Sequence, residues 1–298
     1  MEPSLTVLTT EHRNPDTMNL DTMSPLEIMT IMNREDMLIP AAITPHLGKI
    51  AQVAEWGIQS LRQNGRIFYI GAGTSGRLGL LDAAECPPTF GVSPDTFIGL
   101  IAGGESAFIK AVEGAEDSTK LGQKDLEMHG LTENDLVIGL AASGRTPYVL
   151  GGLNYARRLG CHTASISCNP GSKLSEASDI GIEIVTGPEI LTGSTRLKAG
   201  TAQKMVLNMI STAVMTGMGK VYENLMVDVV KTNEKLRRRA VRIVTEATGV
   251  DEETAKAALE RAGGRCKTAI TMLLAGCDAL EADARLEAAG GRVRDAVR

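Results

Sequence analysis

The sequence predicts an α/β fold: a doubly wound parallel sheet flanked by N-terminal helices and followed by a small C-terminal helical bundle. From Gly65 onward, short apolar runs alternate with segments of helical periodicity, which is the pattern of successive strand–helix–strand units. The run Leu136–Ala141 is continuously apolar, which is typical of a strand covered on both faces. After Tyr222 no convincing strand follows, and glycines separate four segments with a helical pattern.

The expected elements follow from these patterns. Strands are expected at residues 67–70, 96–101, 136–141, 163–167 and 180–184, with helices at 77–84, 108–112, 118–128, 147–159, 173–177 and 198–218. Four further helices are expected at 234–247, 252–261, 266–274 and 277–289. Open parallel sheets bind ligands beyond the carboxyl ends of their strands, so we expect the site in the loops that follow the strands.

The chain ahead of the sheet contains two predicted helices. The residues from Ser24 to Glu27 form a strong helix start, with proline at the first helical position, and a helix is expected at 26–36. A longer helix is expected over 41–64. The polar arm 1–24 is either solvated or packed over a site or a neighbouring subunit. The expected regions are 1–56 (arm and helices), 57–222 (sheet domain) and 223–298 (helical C-terminal region).

Composition and charge limit the function classes. The chain has 298 residues, a net charge of −5 and 3% aromatic residues, which disfavours nucleic acid as a partner. No apolar run approaches the roughly 18 residues of a membrane span, and no signal-peptide pattern opens the chain, so we expect a cytoplasmic protein without a membrane partner. Cysteines and histidines lack metal-ligand spacing, so neither a metal nor a cofactor is expected.

A glycine-rich turn, Gly71–Gly76 (the first lip), joins a predicted buried strand to a helix expected from Arg77. Its glycines permit a close approach to a ligand, and the helix N-terminus offers N–H groups to an anion, of which phosphate is favoured. A dinucleotide is disfavoured, because Glu105 comes 34 positions after Gly71 (105 − 71), beyond the usual gap of about 20. A turn without a function stays open. The candidate ligands are Gly73, Thr74, Ser75 and Gly76.

A second lip, Ser143–Thr146, has a similar composition. It follows the predicted strand at 136–141 and precedes a helix expected from Pro147. Two such turns on parallel strands of one sheet resemble the layout of a sugar isomerase (SIS) domain, which binds phosphosugars. The resemblance implies a small phosphosugar as the ligand. The candidate ligands in this lip are Ser143, Gly144, Arg145 and Thr146.

Longer motifs carry a closer resemblance. The segment Gly187–Lys204 resembles a signature shared by N-acetylmuramic acid 6-phosphate etherases and the glucokinase regulatory protein. The other segments that resemble the etherases are Thr10–Asn14, Leu81–Phe90, Ala111–Asp117 and Asn224–Asp228. The resemblance implies a lyase of cell-wall amino sugar recycling. With water, it would cleave the D-lactyl ether of N-acetylmuramic acid 6-phosphate to give N-acetylglucosamine 6-phosphate and D-lactate.

Two glutamates are the candidate catalytic groups. Glu85 is expected at a helix C-terminus, because Pro87 and Pro88 disfavour continuation of the helix, and the dipole there favours the protonated form that a general acid needs. Glu116 belongs to an acidic cluster in which mutual repulsion has the same effect. From the residues alone, each also fits a solvated surface position. The resemblance decides, because Glu85 and Glu116 match the two catalytic glutamates of the etherase family.

Further polar residues are candidates for lining the site. They are Glu189, Ser194, Arg196, Lys198, Asn224 and Asp228. Arg196 is suited to neutralising phosphate charge, and Lys198 is expected at the surface or near the phosphate. Asn224 and Asp228 are expected one helical turn apart.

Two other functions stay open, a non-catalytic sugar-phosphate sensor like the glucokinase regulatory protein and an aldose–ketose phosphosugar isomerase. The short chain and the retained pair of glutamates favour the etherase over the sensor. Apolar surface on the helices at 26–64 and 198–218 also favours pairing of two chains, so a homodimer is expected.

Overall fold

The computed structural model describes residues 8–110, 112–228 and 234–298. The chain forms two compact units. The first comprises the chain up to Ala84 together with Asp95–Ser211, and the second comprises Glu85–Pro94 and Thr212–Arg298. The division into three regions expected from the sequence, with limits at 56/57 and 222/223, stays a prediction.

A five-stranded parallel sheet forms the centre of the first unit, as predicted. Its strands are β1 (Ile67–Gly71), β2 (Phe97–Ile101), β3 (Leu136–Leu140), β4 (His162–Ser167) and β5 (Ile180–Glu183), in the order β2-β1-β3-β4-β5. Gly71 at the end of β1 lies opposite Ile101 of β2 and Leu140 of β3. The loops after these three strands therefore leave the same edge of the sheet side by side.

The helices that begin in the first unit follow the predicted alternation. They are α1 (Pro25–Asp36), α2 (Ile39–Ile43), α3 (Leu47–Arg62), α4 (Gly73–Phe90), α5 (Thr119–Met128), α6 (Pro147–Leu159), α7 (Lys173–Ala177) and α8 (Lys198–Gly217). Every residue of β1 and β3 is buried, as expected for strands covered on both faces. Phe68 and Ile70 of β1 belong to one apolar cluster with Tyr148 and Leu153 of α6.

The helices ahead of the sheet confirm one prediction and correct another. The side chain of Ser24 accepts a hydrogen bond from the N–H of Glu27, whose carboxylate accepts one from the N–H of Ser24, and this capping box starts α1. The single helix predicted over 41–64 is wrong, because a 3-10 turn at Thr44–His46 separates α2 from α3. Pro45 lacks an N–H and crowds the preceding turn, which accounts for the break.

The arm packs against the rest of the first unit through residues 8–17, so the solvated alternative is wrong for these residues. Asn169, which follows β4, binds the arm through both the nitrogen and the oxygen of its side-chain amide. Its Nδ2 donates to Thr10 Oγ1 at 3.0 Å, and its Oδ1 accepts from Thr9 Oγ1 at 2.9 Å. The buried arm residues are Leu8, Thr10, Asn14 and Thr17.

Residues 108–110 and 112, the described part of the helix predicted at 108–112, do not form an α-helix. The chain makes a 3-10 turn at Glu105–Phe108, and Val112 lies outside any helix. Gly103 and Gly104 precede the turn with φ of +92° and +73°. Glycine adopts this conformation without strain, and it interrupts regular structure. The connection after β2 is therefore an irregular loop.

The second unit contains the predicted helical bundle and a small hairpin. Its elements are β6 (Val221–Tyr222), β7 (Leu225–Met226), α9 (Glu234–Thr248), α10 (Glu252–Arg261), α11 (Cys266–Ala275), α12 (Ala279–Ala288) and α13 (Val293–Ala296). The two strands pair antiparallel. The prediction that no strand follows Tyr222 is wrong, because strands of two residues leave no periodic signal in the sequence.

The bundle also contains an internal repeat. Residues Glu252–Ile270 align with Ala279–Val297 at an offset of 27 positions (279 − 252), and both copies contain Ala-Gly-Gly-Arg. An aspartate caps the first helix of each copy. Gly263 and Gly264 have φ of +60° and +83°, and their counterparts have +59° and +79°. In both copies the second glycine donates to a leucine carbonyl at 2.7 Å. Two copies of one helix–turn–helix unit thus build most of the bundle.

Candidate active site

The first lip is the beginning of α4 rather than a loop ahead of it. α4 begins at Gly73, before the predicted start at Arg77. Gly73 has a φ of +51°, which glycine adopts most readily. The first turn of a helix has backbone N–H groups without intrahelical partners and carries the positive end of the helix dipole. The N–H groups of Gly73, Thr74 and Ser75 therefore suit an anion.

Two residues of the first lip also have structural partners. The N–H of Gly76 donates to the Ala72 carbonyl at 3.1 Å. A Cβ at Gly76 would lie 2.8 Å from the carbonyl oxygen of Gly71, so glycine is needed there for packing. The hydroxyl of Ser75, which is buried, donates to Oε1 of Gln203 at 2.8 Å. Ser75 thus keeps its N–H for a ligand, and Gly76 acts as a spacer.

The second lip lies beside the first, as predicted, because β3 pairs with β1. Gly144 has a φ of +69°, and a Cβ there would lie 2.3 Å from the Cβ of Ser172, so only glycine fits. The N–H of Arg145 donates to Ser143 Oγ at 3.3 Å. Thr146 is the N-cap residue of α6. Hydroxyl and N–H groups of both lips are therefore placed at one edge of the sheet.

A cavity of about 410 Å³ opens beyond β1 and β2. It brings Gly73 of the first lip and the candidate base Glu116 to one space. Charged groups in its wall are one guanidinium, from Arg77, and the carboxylates of Glu113 and Glu116. Among the described residues, none from the second lip belongs to this wall. The lining residues are Ala72, Gly73, Arg77, Ala102, Ala107, Val112, Glu113, Gly114 and Glu116.

Glu116 reaches the cavity from a short turn. The 3-10 turn Ala115–Asp117 follows Gly114, whose φ is +73°. Ala115 is buried, whereas Glu116 is exposed at the cavity wall. Ser118 then caps α5. The carboxylate is thus presented from a turn that one buried alanine anchors.

Glu85 lies inside α4 rather than at its end, which corrects the prediction made from the two prolines. The helix continues through Pro87 and Pro88 to Phe90. Because the φ of proline suits a helix, the chain loses two N–H donors while it keeps helical geometry. The N–H of Gly91 closes the last turn by donating to the Pro87 carbonyl at 2.9 Å. The helix dipole therefore gives no argument for Glu85, which is exposed and belongs to the second unit.

Two candidates of the signature segment are buried structural groups. Glu189 is 0% exposed, and its carboxylate caps α8 by accepting from the N–H groups of Lys198 at 2.9 Å and Ala199 at 3.0 Å. Burial raises the pKa of Glu189, and these hydrogen bonds oppose the shift. Lys198 is 2% exposed, and its Nζ pairs with Glu35 Oε2 at 2.6 Å. The predicted surface position of Lys198 is therefore wrong, and a position near the phosphate stays a prediction.

The other candidate lining residues lie outside the cavity wall. Ser194, half-buried, and Arg196, exposed, are in the loop ahead of α8. Asn224 lies in the turn between β6 and β7, so the expected helical turn between it and Asp228 does not form. Asp228 instead pairs with Lys267. A role for these four residues in lining the site stays a prediction.

Two residues without a predicted site role contact the candidate site. Gln203 holds the Ser75 hydroxyl, and Arg77 contributes to the cavity wall. Gln203 lies within the segment Gly187–Lys204, and Arg77 directly follows the first lip. Their closeness to these motifs is the sequence feature that could have identified both residues.

Nowhere in residues 8–110, 112–228 and 234–298 do three or more His, Cys, Asp or Glu side chains form a group that could hold a metal ion. Within the same ranges, every helix is too short or too polar to span a membrane. The five cysteines are free thiols. Burial raises the pKa of the Cys161 thiol to about 12, so this thiol stays protonated at neutral pH.

Two family models match the chain. The model described as the glucokinase regulatory protein N-terminal SIS domain matches residues 49–157, and the model described as the SIS domain matches residues 116–213. Together they include all five strands of the sheet and both lips.

Curated relatives extend the match to most of the chain. The N-acetylmuramic acid 6-phosphate etherase of Exiguobacterium sp. is 63% identical over 268 residues, which cover 90% of this chain and 91% of the relative. The enzyme of the same name from Serratia proteamaculans is 59% identical over 93% of each chain. The chain belongs to the N-acetylmuramic acid 6-phosphate etherase family. The family resemblance seen in the motifs is thereby confirmed.

The solved structures include a likeness in fold. Phosphoheptose isomerase from Neisseria gonorrhoeae matches with a TM-score of 0.51 and 16% identity, over 65% of this chain and 100% of that chain. At this identity the likeness concerns the fold alone. It agrees with the predicted SIS architecture of the sheet and its surrounding helices.

Proposed function

We propose that this protein is a lyase that cleaves the D-lactyl ether of N-acetylmuramic acid 6-phosphate with water, giving N-acetylglucosamine 6-phosphate and D-lactate. The observation that carries the proposal is the cavity shared by Glu116 and Gly73, in a chain that belongs to the etherase family. A phosphate at the first lip and a carboxylate in the same cavity suit a phosphosugar that must lose a proton.

The first half of the reaction is an elimination. In the open-chain sugar, the hydrogen at C2 is acidic because it is adjacent to the C1 aldehyde. Glu116 accepts this proton, and the electron pair of the C2–H bond becomes the C2–C3 double bond as the C3–O bond breaks. Glu85 donates a proton to the departing lactate oxygen. The products are D-lactate and an α,β-unsaturated aldehyde.

The second half is a hydration with the carboxyl groups in reversed roles. Glu85, now a carboxylate, accepts a proton from water as the water oxygen bonds to C3. Glu116, now protonated, returns a proton to C2. Both groups regain their starting states, and one water is consumed. General acid–base catalysis of this kind contributes about 10²–10⁴-fold for each group.

The lips bind and position the substrate in this proposal. The N–H groups of Gly73, Thr74 and Ser75 hold the phosphate, and the hydroxyls of Ser143 and Thr146 supply further donors from the neighbouring loop. Anchoring at one end of the sugar fixes C2 and C3 relative to the carboxylates. Positioning of this kind makes the proton transfer effectively intramolecular.

Release of D-lactate from N-acetylmuramic acid 6-phosphate tests the proposal. The purified protein is expected to release one D-lactate for each N-acetylglucosamine 6-phosphate that it forms. Binding of fructose phosphate without turnover of the muramic acid phosphate would support a sensor instead. Interconversion of a phosphorylated aldose and ketose, again without lactate release, would support an isomerase.

We further propose that the protein acts as a homodimer in the cytoplasm. The helix α1 exposes Leu26 and Met29, an apolar surface suited to a second copy. Five free thiols are compatible with a reducing compartment. Light scattering is expected to give twice the chain mass of 31.6 kDa. A monomer at working concentration would contradict the dimer.

A further inference from the structure

Arg77 lines the candidate active site, but its guanidinium is directed at the backbone. Its Nε donates to the carbonyl of Phe108 and its Nη2 to the carbonyl of Ala107, each at 2.7 Å. Both carbonyls lie at the end of the 3-10 turn Glu105–Phe108, where helical turns leave carbonyl groups without intrahelical partners. A charged donor there is favoured by the turn's dipole and makes a hydrogen bond roughly twice as strong as a neutral one.

The turn that Arg77 binds has little apolar burial of its own. Phe108 is 48% exposed and Ile109 is 90% exposed, while Ala107 contributes only a methyl group to the interior. Segments with few buried apolar contacts open locally at low free-energy cost. The position of this turn therefore depends on polar contacts, of which the two from Arg77 are charged.

The turn is packed against the chain that leads to Glu116. A Cβ at Gly103 would lie 2.7 Å from the Cβ of Val112 and 3.2 Å from that of Ala107, so the missing side chain lets both residues approach the same point. Ala107, Val112 and Glu116 all belong to the cavity wall. A shift of Ala107 would therefore disturb the wall from which Glu116 is presented.

We propose that Arg77 is a positioning residue, which binds the carbonyls of Ala107 and Phe108 and thereby fixes the cavity wall so that Glu116 faces C2 of the substrate. The inference rests on the proposed function. The N–H groups of the first lip bind the phosphate, whereas the guanidinium of Arg77 binds the cavity wall. Since Arg77 directly follows that lip on α4, the helix that binds the phosphate also holds the wall that carries the base.

The test compares Arg77→Met and Arg77→Lys with Arg62→Met, which removes an exposed arginine at the end of α3. Two rates are measured, D-lactate release and incorporation of deuterium at C2 from deuterated water. In Arg77→Met both rates are expected to fall by about 10²-fold, with KM changed by less than about twofold, because misplacing a reacting group costs turnover rather than binding. Arg77→Lys is expected to recover part of the loss, since an ammonium group can bind one carbonyl but lacks the planar, two-pronged guanidinium that binds both.

Each outcome supports or overturns the inference. A wild-type protein that releases no lactate and incorporates no deuterium would contradict the proposed function itself. A wild-type protein that does both, with unchanged kcat in folded Arg77→Met, would overturn the role of Arg77 alone. A large rise in KM with unchanged kcat would make Arg77 a phosphate ligand and overturn the inference.

A stability readout separates positioning from folding. Thermal unfolding and amide hydrogen exchange are followed for each variant, and faster exchange at residues 105–108 of Arg77→Met is expected while the sheet keeps its protection. If Arg77→Met does not fold, Arg77→Gln replaces it, because glutamine keeps a polar end group but has neither the charge nor the planar guanidinium of arginine. The expectations for kcat and KM are the same.

Discussion

Nζ of Lys198 lies 2.6 Å from Oε2 of Glu35, and both side chains are largely buried. Lys198 begins α8, and Glu35 lies near the end of α1. The arm joins the same carboxylate, because Nδ2 of Asn14 donates to Glu35 Oε2 at 3.3 Å. One ion pair thus connects the arm, the first helix and the helix that follows the signature segment.

Removing one partner of this ion pair is expected to destabilise the protein. Lys198→Met leaves a buried carboxylate without its cation and should lower the free energy of unfolding by about 3–5 kcal/mol. The double variant Lys198→Met/Glu35→Leu should recover much of that loss. Urea denaturation measures both. A Lys198→Met protein of full stability that lacks activity would instead make Lys198 part of the catalytic site.

The docking of the arm gives a second prediction. Asn169→Ala removes the amide that binds Thr9 and Thr10, and should cost about 2 kcal/mol of unfolding free energy, since several buried hydrogen bonds are lost. Limited proteolysis should then cut residues 8–24 faster than in the wild type. Asn154→Ala, at an exposed position of α6, is the matched control. Equal cleavage rates in the two variants would show that Asn169 does not hold the arm.

A pH dependence is expected from Asp82. Its carboxylate accepts hydrogen bonds from Tyr69, Asn208 and Ser211. Burial raises the pKa of Asp82 above its ordinary value of 3.8, and these hydrogen bonds oppose the shift. The native state therefore holds the Asp82 proton more tightly than the unfolded state does, so this contribution to stability is full below 3.8 and is lost as pH rises through the native pKa.

Asp82→Asn isolates that contribution. The variant is expected to be less stable than the wild type at every pH, since an amide cannot accept all three donors. Its deficit should shrink as the pH rises from about 4, because only the wild type loses the stability linked to the proton. Urea denaturation of both proteins between pH 4 and pH 8 measures the difference. A deficit that stays constant or grows with pH would contradict the assignment.

Substitution of Glu116 and substitution of Glu85 are expected to affect lactate release and C2 exchange differently. Glu116→Gln should lose lactate release and C2 exchange together, by about 10²–10⁴-fold. Glu85→Gln should lose lactate release by a similar factor but retain C2 exchange, because the base remains and only the acid is gone. Glu105→Gln, an exposed residue of the neighbouring turn, is the control. Full lactate release by Glu85→Gln would remove Glu85 as the acid.

Features with a local physical cause were predictable from the sequence. The apolar runs predicted the five strands, and Ser24 with Glu27 predicted the start of α1, because such patterns act within a few residues. The placement of both lips at one sheet edge also followed, since parallel strands align their carboxyl ends. Glu116 could be paired with the first lip only through the family resemblance, because no local pattern links it to Gly73.

The wrong predictions concern features of the structure that are determined by contacts between residues distant in the sequence or by details of backbone geometry. The burial of Lys198 could not be predicted, because its partner, Glu35, is 163 positions away in the sequence. α4 starts at Gly73, although glycine and threonine are poor helix formers, and it passes through Pro87 and Pro88 although proline removes donors. Tertiary packing overrides such local preferences. The internal repeat, by contrast, was present in the sequence and needed only an alignment of the chain with itself.

Incorporation of solvent hydrogen at C2 tests the central claim most directly. The wild-type protein is incubated with N-acetylmuramic acid 6-phosphate in deuterated water, and the N-acetylglucosamine 6-phosphate that forms is examined by NMR. Proton abstraction by Glu116 predicts one deuterium at C2 of the product, and no deuterated product from Glu116→Gln. Product that forms at the full rate with ordinary hydrogen at C2 would contradict the mechanism.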